Sequence, residues 1–147
     1  MKKILGIASV VLAGFSGMAQ EKEAPAPATI REGKHKFSLQ WIGWGEQFGS
    51  VEIKKVNDST YYVKGEQRSE DSLDFASIDG NLIMLTPRRL RFEGTILTKV
   101  RTMNNNEVCD KTGTYTFFAS GVRKYWRLQE MDNCEEGAAV DYVDIFF

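Results

Sequence analysis

From Lys36 onward, apolar and polar residues alternate with a period of two far more often than with the 3.6-residue period of a helix. In KFSLQWIGW, Phe37, Leu39 and Trp41 share one face while Ser38 and Gln40 take the other, the alternation of a strand wetted on one side. SVEIKKV repeats it with Val51 and Ile53. Asn57-Asp58 then supplies a turn, and TYYVKGEQR opens a new strand from β-favouring residues. RRLRFEGTILTKVR is the cleanest strand: Leu90, Phe92, Ile96 and Val100 fall on one face, and Arg89, Arg91, Glu93, Lys99 and Arg101 on the other.

The turns between these runs follow from local chemistry. Asp79-Gly80 sits between two short apolar runs and predicts a tight hairpin, because both residues tolerate positive φ. Pro87 ends the preceding run or places it at an edge. Asn104-Asn105-Asn106 breaks the chain again, and Ser120-Gly121 separates GTYTFFAS from VRKYWRLQEM. The sequence stops inside VDYVDIFF, another strand-like run. GEQRSEDSLD has room for one helical turn, and no repeat of fixed period is present.

About eight short strands joined by hairpin-type turns predict an all-β fold, an antiparallel meander. Closing it into a small barrel removes the two exposed edges, with the strand at Phe147 pairing with the first. A two-sheet β-sandwich is the alternative.

The N-terminus changes the picture of where the protein works. Met1-Lys2-Lys3, an apolar run over residues 4–15 and small residues at Gly17 and Ala19 have the form of a secretory signal peptide, too short to span a bilayer stably. Residues 1–19 are read as that signal, residues 20–34 as a flexible Pro/Ala/charged leader, and residues 35–147 as the barrel domain. No cysteine follows the apolar run, so a soluble periplasmic or secreted protein is expected, without a lipid anchor or membrane span. In an oxidising compartment the two cysteines, Cys109 and Cys134, are expected to pair. Closing that loop of about 25 residues contributes roughly 3.5 kcal/mol in the chain-entropy model.

Charge excludes little beyond polyanion binding. The chain carries 19 Lys+Arg against 20 Asp+Glu, and losing Lys2 and Lys3 with the signal leaves 17 against 20. That balance gives no general attraction to nucleic acid or to an anionic membrane.

Catalytic chemistry finds few carriers. His35 is the one histidine; it falls at the end of the leader, where it is expected to be solvated rather than to serve a Ser-His-Asp or Cys-His set or a metal. Asp71 with Asp74, Asp132 with Glu135 and Glu136, and Asp141 with Asp144 lack the spacing of a calcium loop and read as polar turns and strand ends. Arg88, Arg89 and Arg91 read as an outward, solvated stripe. The expectation is a protein that is not an enzyme and holds no cofactor or metal.

The signal, a domain of roughly 110 residues, an early Trp41, the meander and a late cationic aromatic strand together resemble the calycin-type barrels, the lipocalin and streptavidin-like group. WIGWG echoes the Gly-x-Trp of lipocalins, with Gly43 directly preceding Trp44. The resemblance implies a small hydrophobic ligand, held in a cavity lined by Trp41, Trp44, Tyr115, Phe117 and Trp126. A second reading uses the hairpin over residues 120–127. There Arg123, Lys124, Tyr125 and Arg127 present side chains suited to an extracytoplasmic protein partner. Ser120-Gly121-Val122-Arg123-Lys124-Tyr125 resembles the Ser-Gly-x-Arg-Tyr motif of periplasmic lysozyme inhibitors, one residue longer, and implies an inhibitor module.

Overall fold

The computed structural model describes residues 26–147 and contains eight strands in chain order: β1 (Gly33–Leu39), β2 (Gly49–Lys55), β3 (Thr60–Arg68), β4 (Phe75–Thr86), β5 (Arg89–Lys99), β6 (Cys109–Phe118), β7 (Tyr125–Leu128) and β8 (Val143–Phe146). Each pairs antiparallel with its neighbour, and β8 returns to β1 through Phe37↔Ile145 and Leu39↔Val143, which closes the barrel. The meander, the closure and the pairing of last strand with first are therefore as the alternation predicts. The signal and the first part of the leader lie outside the described residues.

The inward side chains come from the apolar face of every strand. Phe37, Leu39, Ile53, Leu82, Leu90, Phe92, Phe117, Trp126 and Ile145 have no accessible surface, so not even a water-sized void lies against them. The interior is filled, as is common for small barrels. Outward positions carry the charges, and Arg89 and Arg91 are exposed as expected. Arg88 is half-buried, with Nη1 donating to the carbonyls of Ala119 and Gly121, both at 3.0 Å.

Four expectations are corrected. Asp79-Gly80 is not a turn but the middle of β4, where Gly80 faces Gly94 of β5. A Cβ on Gly80 would lie 2.4 Å from the Glu93 carbonyl oxygen, and one on Gly94 would lie 2.3 Å from that of Asp79. Glycine is there for close approach of two strands, with the Phe92 ring packed over the gap. The turns that connect strands here are at residues 56–59 and 87–88. GEQRSEDSLD forms no helical turn: it ends β3 and continues into a loop closed by Ser69 N–H on the Asp74 carbonyl at 2.9 Å.

The other two corrections concern the leader. Ile30 is buried in the core and β1 begins at Gly33, so the domain starts before residue 35. His35 is 2% exposed, on the inward face of β1 beside Val51. Its two ring nitrogens lie 2.6 Å from the carbonyl oxygens of Arg31 and Phe146. Those two carbonyls replace the water it was expected to meet.

One edge is incomplete. β6 pairs with β7 only at Phe117↔Leu128 and Phe118↔Arg127, and the segment over residues 129–142 covers the rest. Gln129 N–H donates to the Thr116 carbonyl and Thr116 N–H to Glu130 Oε2, both at 2.8 Å. Lys111 Nζ donates to the carbonyls of Glu130 and of Asp132, the latter at 2.8 Å. The Cys109–Cys134 disulfide, as expected from the sequence, ties this segment to the start of β6.

Candidate functional site

The five aromatics expected to line a cavity do not converge. Trp126 is in the packed core, its Nε1 donating to the Pro87 carbonyl at 3.0 Å and its ring 4.4 Å from that of Phe147. Phe117 packs edge-on against Phe92 at 6.0 Å. Tyr115 is half-buried beneath the Lys111 ammonium, 5.3 Å from its ring. Trp41 and Trp44 belong to the opposite end of the barrel from Trp126, in the β1–β2 connection.

There Trp41 donates Nε1 to Asp141 Oδ1 at 3.0 Å and meets Trp44 edge-on at 5.4 Å. Trp44 is 71% exposed. It stands in a left-handed run, Gly43, Trp44 and Gly45 having φ of 69°, 46° and 84°, a conformation that tryptophan adopts only when its surroundings impose it. Gln67, buried, imposes it in part: Oε1 accepts Leu39 N–H at 2.6 Å, while Nε2 donates to the carbonyls of Ile42 at 3.0 Å and Gln47 at 2.6 Å. No pattern in the sequence marked Gln67, because its three partners lie far away along the chain.

The residues of the 120–127 hairpin separate by parity. Trp126 points inward, whereas Tyr125 and Arg127 point outward next to Phe146 and Asp144 of β8. Arg127 grips Asp144 with Nε at 2.7 Å and Nη2 at 2.8 Å, a bidentate pair that is 14% and 8% exposed on the two side chains. Hydrogen bonding to Asp144 pushes the guanidinium pKa up, against the opposing effect of burial. The same guanidinium lies 4.2 Å from the Tyr142 ring and 5.1 Å from that of Tyr125, and that of Arg123 lies 5.7 Å from the Tyr125 ring.

The row continues across the seam. Tyr125 and Phe146 are 5.1 Å apart, Phe146 and Phe48 5.3 Å, and the Lys36 ammonium lies 5.0 Å from the Phe48 ring. A run of three aromatics, Tyr125, Phe146 and Phe48, flanked by cations thus crosses the outer wall of β7, β8 and β1. Such cation–ring pairs contribute about 0.5–1 kcal/mol each where exposed. Lys124 is exposed but outside this row, and its carbonyl accepts Phe147 N–H at 3.1 Å. Phe48, Phe146 and Lys36 were missed from the sequence because barrel closure alone brings them to the hairpin.

The acidic groups serve the scaffold. Arg101 bridges Asp71 at 2.7 Å and Asp74 at 3.0 Å, and its hydrogen bonds hold the Asp71 carboxyl far below the ordinary range, with help from Ser69. Asp141 is buried and accepts Trp41 and, at 3.1 Å, Asn133 Nδ2. Burial pushes the Lys111 ammonium pKa down, and the nearby Asp141, Glu130 and Asp132 carboxylates counter it. Among the described residues, no group of three or more His, Cys, Asp or Glu is placed to hold a metal ion.

Residues 18–147 match the model of the PM1083 family. The chain is similar to "Uncharacterized protein PM1083" of Pasteurella multocida (strain Pm70), 43% identical over 117 residues that cover 78% of this chain and 72% of the relative. No solved structure matches.

Proposed function

The chain belongs to the PM1083 family, and we propose that it is an exported, non-enzymatic binding protein that engages another extracytoplasmic protein through the outer wall of β7, β8 and β1. The observation that carries this reading is the contrast between the two sides of the wall: an interior with no accessible surface on its large side chains, and an exterior row of Arg123, Tyr125, Arg127, Phe146, Phe48 and Lys36. Tyr and Arg are enriched in the centres of protein interfaces, where ring faces and guanidinium groups give area and hydrogen bonds together.

Export is supported by the form of the N-terminal residues and by the disulfide, which persists in oxidising compartments. The likeness to periplasmic lysozyme inhibitors falls on Arg123 and Tyr125, both in this row. Arg127, 14% exposed and bound to Asp144, lies 5.1 Å from the Tyr125 ring and helps fix it, so less side-chain entropy is lost there when a partner binds.

A photo-crosslinking residue at Tyr125, compared with one at Thr114 on the outer face of β6, tests the reading in cells that export the protein. A discrete adduct is expected from Tyr125 and not from Thr114, and Phe48→Ala should reduce it. Equal adducts from both positions, or none from Tyr125, would contradict it.

A further inference from the structure

The near balance of charge over the whole chain conceals a separation along the barrel axis. Because neighbouring strands alternate in direction, the connections at residues 56–59, 87–88 and 119–124 share one end with the start of β1, and those at 40–48, 69–74, 100–108 and 129–142 share the other. The first end carries Lys54, Lys55, Arg88, Arg89, Arg123 and Lys124 against Glu32 and Asp58. Glu32 Oε1 accepts Lys55 N–H at 2.7 Å, and Asp58, fully exposed, lies 3.7 Å from Lys55 Nζ. The second end carries Glu70, Asp71, Glu107, Glu130, Glu135 and Glu136 against Arg68, Lys99, Arg101 and Lys111, of which Arg68 pairs with Glu66, Arg101 with Asp71, and Lys111 with the Asp132 carbonyl.

The basic end is built as one rim. Met84 N–H donates to the Ser59 carbonyl at 2.8 Å, and Ala119 N–H to the Arg88 carbonyl at 2.8 Å, which joins the three connections in series. From that rim Val56, Leu85 and Val122 project, 60%, 52% and 58% exposed. Val56 and Val122 each adjoin a cation in sequence, Lys55 and Arg123.

We propose that this end docks on an anionic lipid bilayer. Val56, Leu85 and Val122 enter the headgroup layer while Arg89, Lys124, Lys54 and Lys55 meet lipid phosphates. Aliphatic tips spread over two connections and the end of β4 suit a fluid layer that closes around each one. A nucleic acid would be met by stacking aromatics, and an acidic protein by a contiguous apolar patch. The surface potential of a membrane decays within about 8 Å at physiological salt, so the acidic end, a barrel length away, neither senses nor opposes it. The axis then stands upright on the surface, and the wall of Tyr125 and Phe146 stays open to a protein partner.

Each cation at an anionic surface contributes about 1 kcal/mol, or about fivefold in partition. The test is sedimentation of the exported chain with phosphatidylglycerol-containing vesicles and with vesicles of phosphatidylcholine alone, at low and high salt. Binding is expected to the anionic vesicles, weakened by salt, with Arg89→Gln/Lys124→Gln lowering the partition about 25-fold and Val122→Ser lowering it about fivefold. Lys54→Gln, at the end of β2, should lower it about fivefold, and Glu135→Lys/Glu136→Lys at the far end should not. The proposal is overturned if folded wild type ignores anionic vesicles, if the end variants bind as well as wild type, or if inorganic phosphate at matched concentration displaces the protein. Head-to-tail self-association that the same variants abolish, without vesicle binding, would overturn it equally.

Discussion

The imidazole of His35 lies 2.6 Å from the carbonyl oxygen of Phe146, so the first strand is tied to the last by a side chain as well as by the backbone ladder. Carbonyls only accept, and a buried one left alone costs about 1–3 kcal/mol. His35→Phe keeps a ring of comparable size but removes the N–H that the two carbonyls compete for. It should lower stability to urea by about 2–4 kcal/mol and speed amide exchange in β8. An unchanged denaturation midpoint would show that the seam does not depend on this ring.

Gly80 and Gly94 make a parallel case in the middle of the sheet. A methyl group at either position meets backbone atoms on the neighbouring strand, which cannot rotate away as a side chain can. Gly80→Ala should cost more than about 2 kcal/mol, whereas Thr114→Ala on the outer face of β6 should cost less than about 0.5 kcal/mol. Equal costs would mean that the strands spread without strain.

The disulfide pins the segment over residues 129–142 onto the unpaired half of β6. Cys109→Ser/Cys134→Ser should lower stability by about 2–5 kcal/mol. The loss should be uneven, with exchange of the Thr116 N–H, which donates to Glu130, rising more than that of core amides. A uniform change across the barrel would place the disulfide's effect in the unfolded chain alone.

Acid should loosen the opposite rim. The Asp71 carboxyl is held below the ordinary carboxylate range by Arg101, so the stability it contributes is complete above its unfolded pKa of about 4 and is lost as pH falls towards the folded value. In wild type, the side-chain carboxyl resonance of Asp71 should barely move between neutral pH and the ordinary Asp midpoint. In Arg101→Gln it should titrate closer to that midpoint, though still below it, because the Ser69 hydroxyl and the Leu73 N–H continue to donate to the carboxylate. A normal titration in wild type would sink the assignment of Arg101 as the cause.

Much of the architecture is legible from parity. Phe37, Leu39, Leu90, Phe92, Phe117 and Trp126 alternate with polar residues and turn out to be the core, and Cys109 and Cys134 pair as export predicts. What parity does not carry is the difference between a glycine in a turn and one at a strand contact, which is why Asp79-Gly80 misleads. Nor does it carry partners brought in by closure, which is why His35 reads as solvated although the carbonyls of Arg31 and Phe146 enclose it. The candidate surface was half visible: Arg123, Tyr125 and Arg127 stand out in the hairpin, while Phe48 and Phe146 join them only across the seam.

The central claim is that this barrel works from its outer wall and not from its interior. Trp126 reports on the interior most directly, because its ring has no accessible surface and any guest must displace its neighbours. Titrating the folded domain with a panel of apolar fluorophores while following Trp126 emission, with Trp41 and Trp44 replaced by phenylalanine, is the decisive measurement. The outer-wall account predicts no saturable change. Stoichiometric, saturable quenching by one of these compounds would contradict it and return the function to the inside of the barrel.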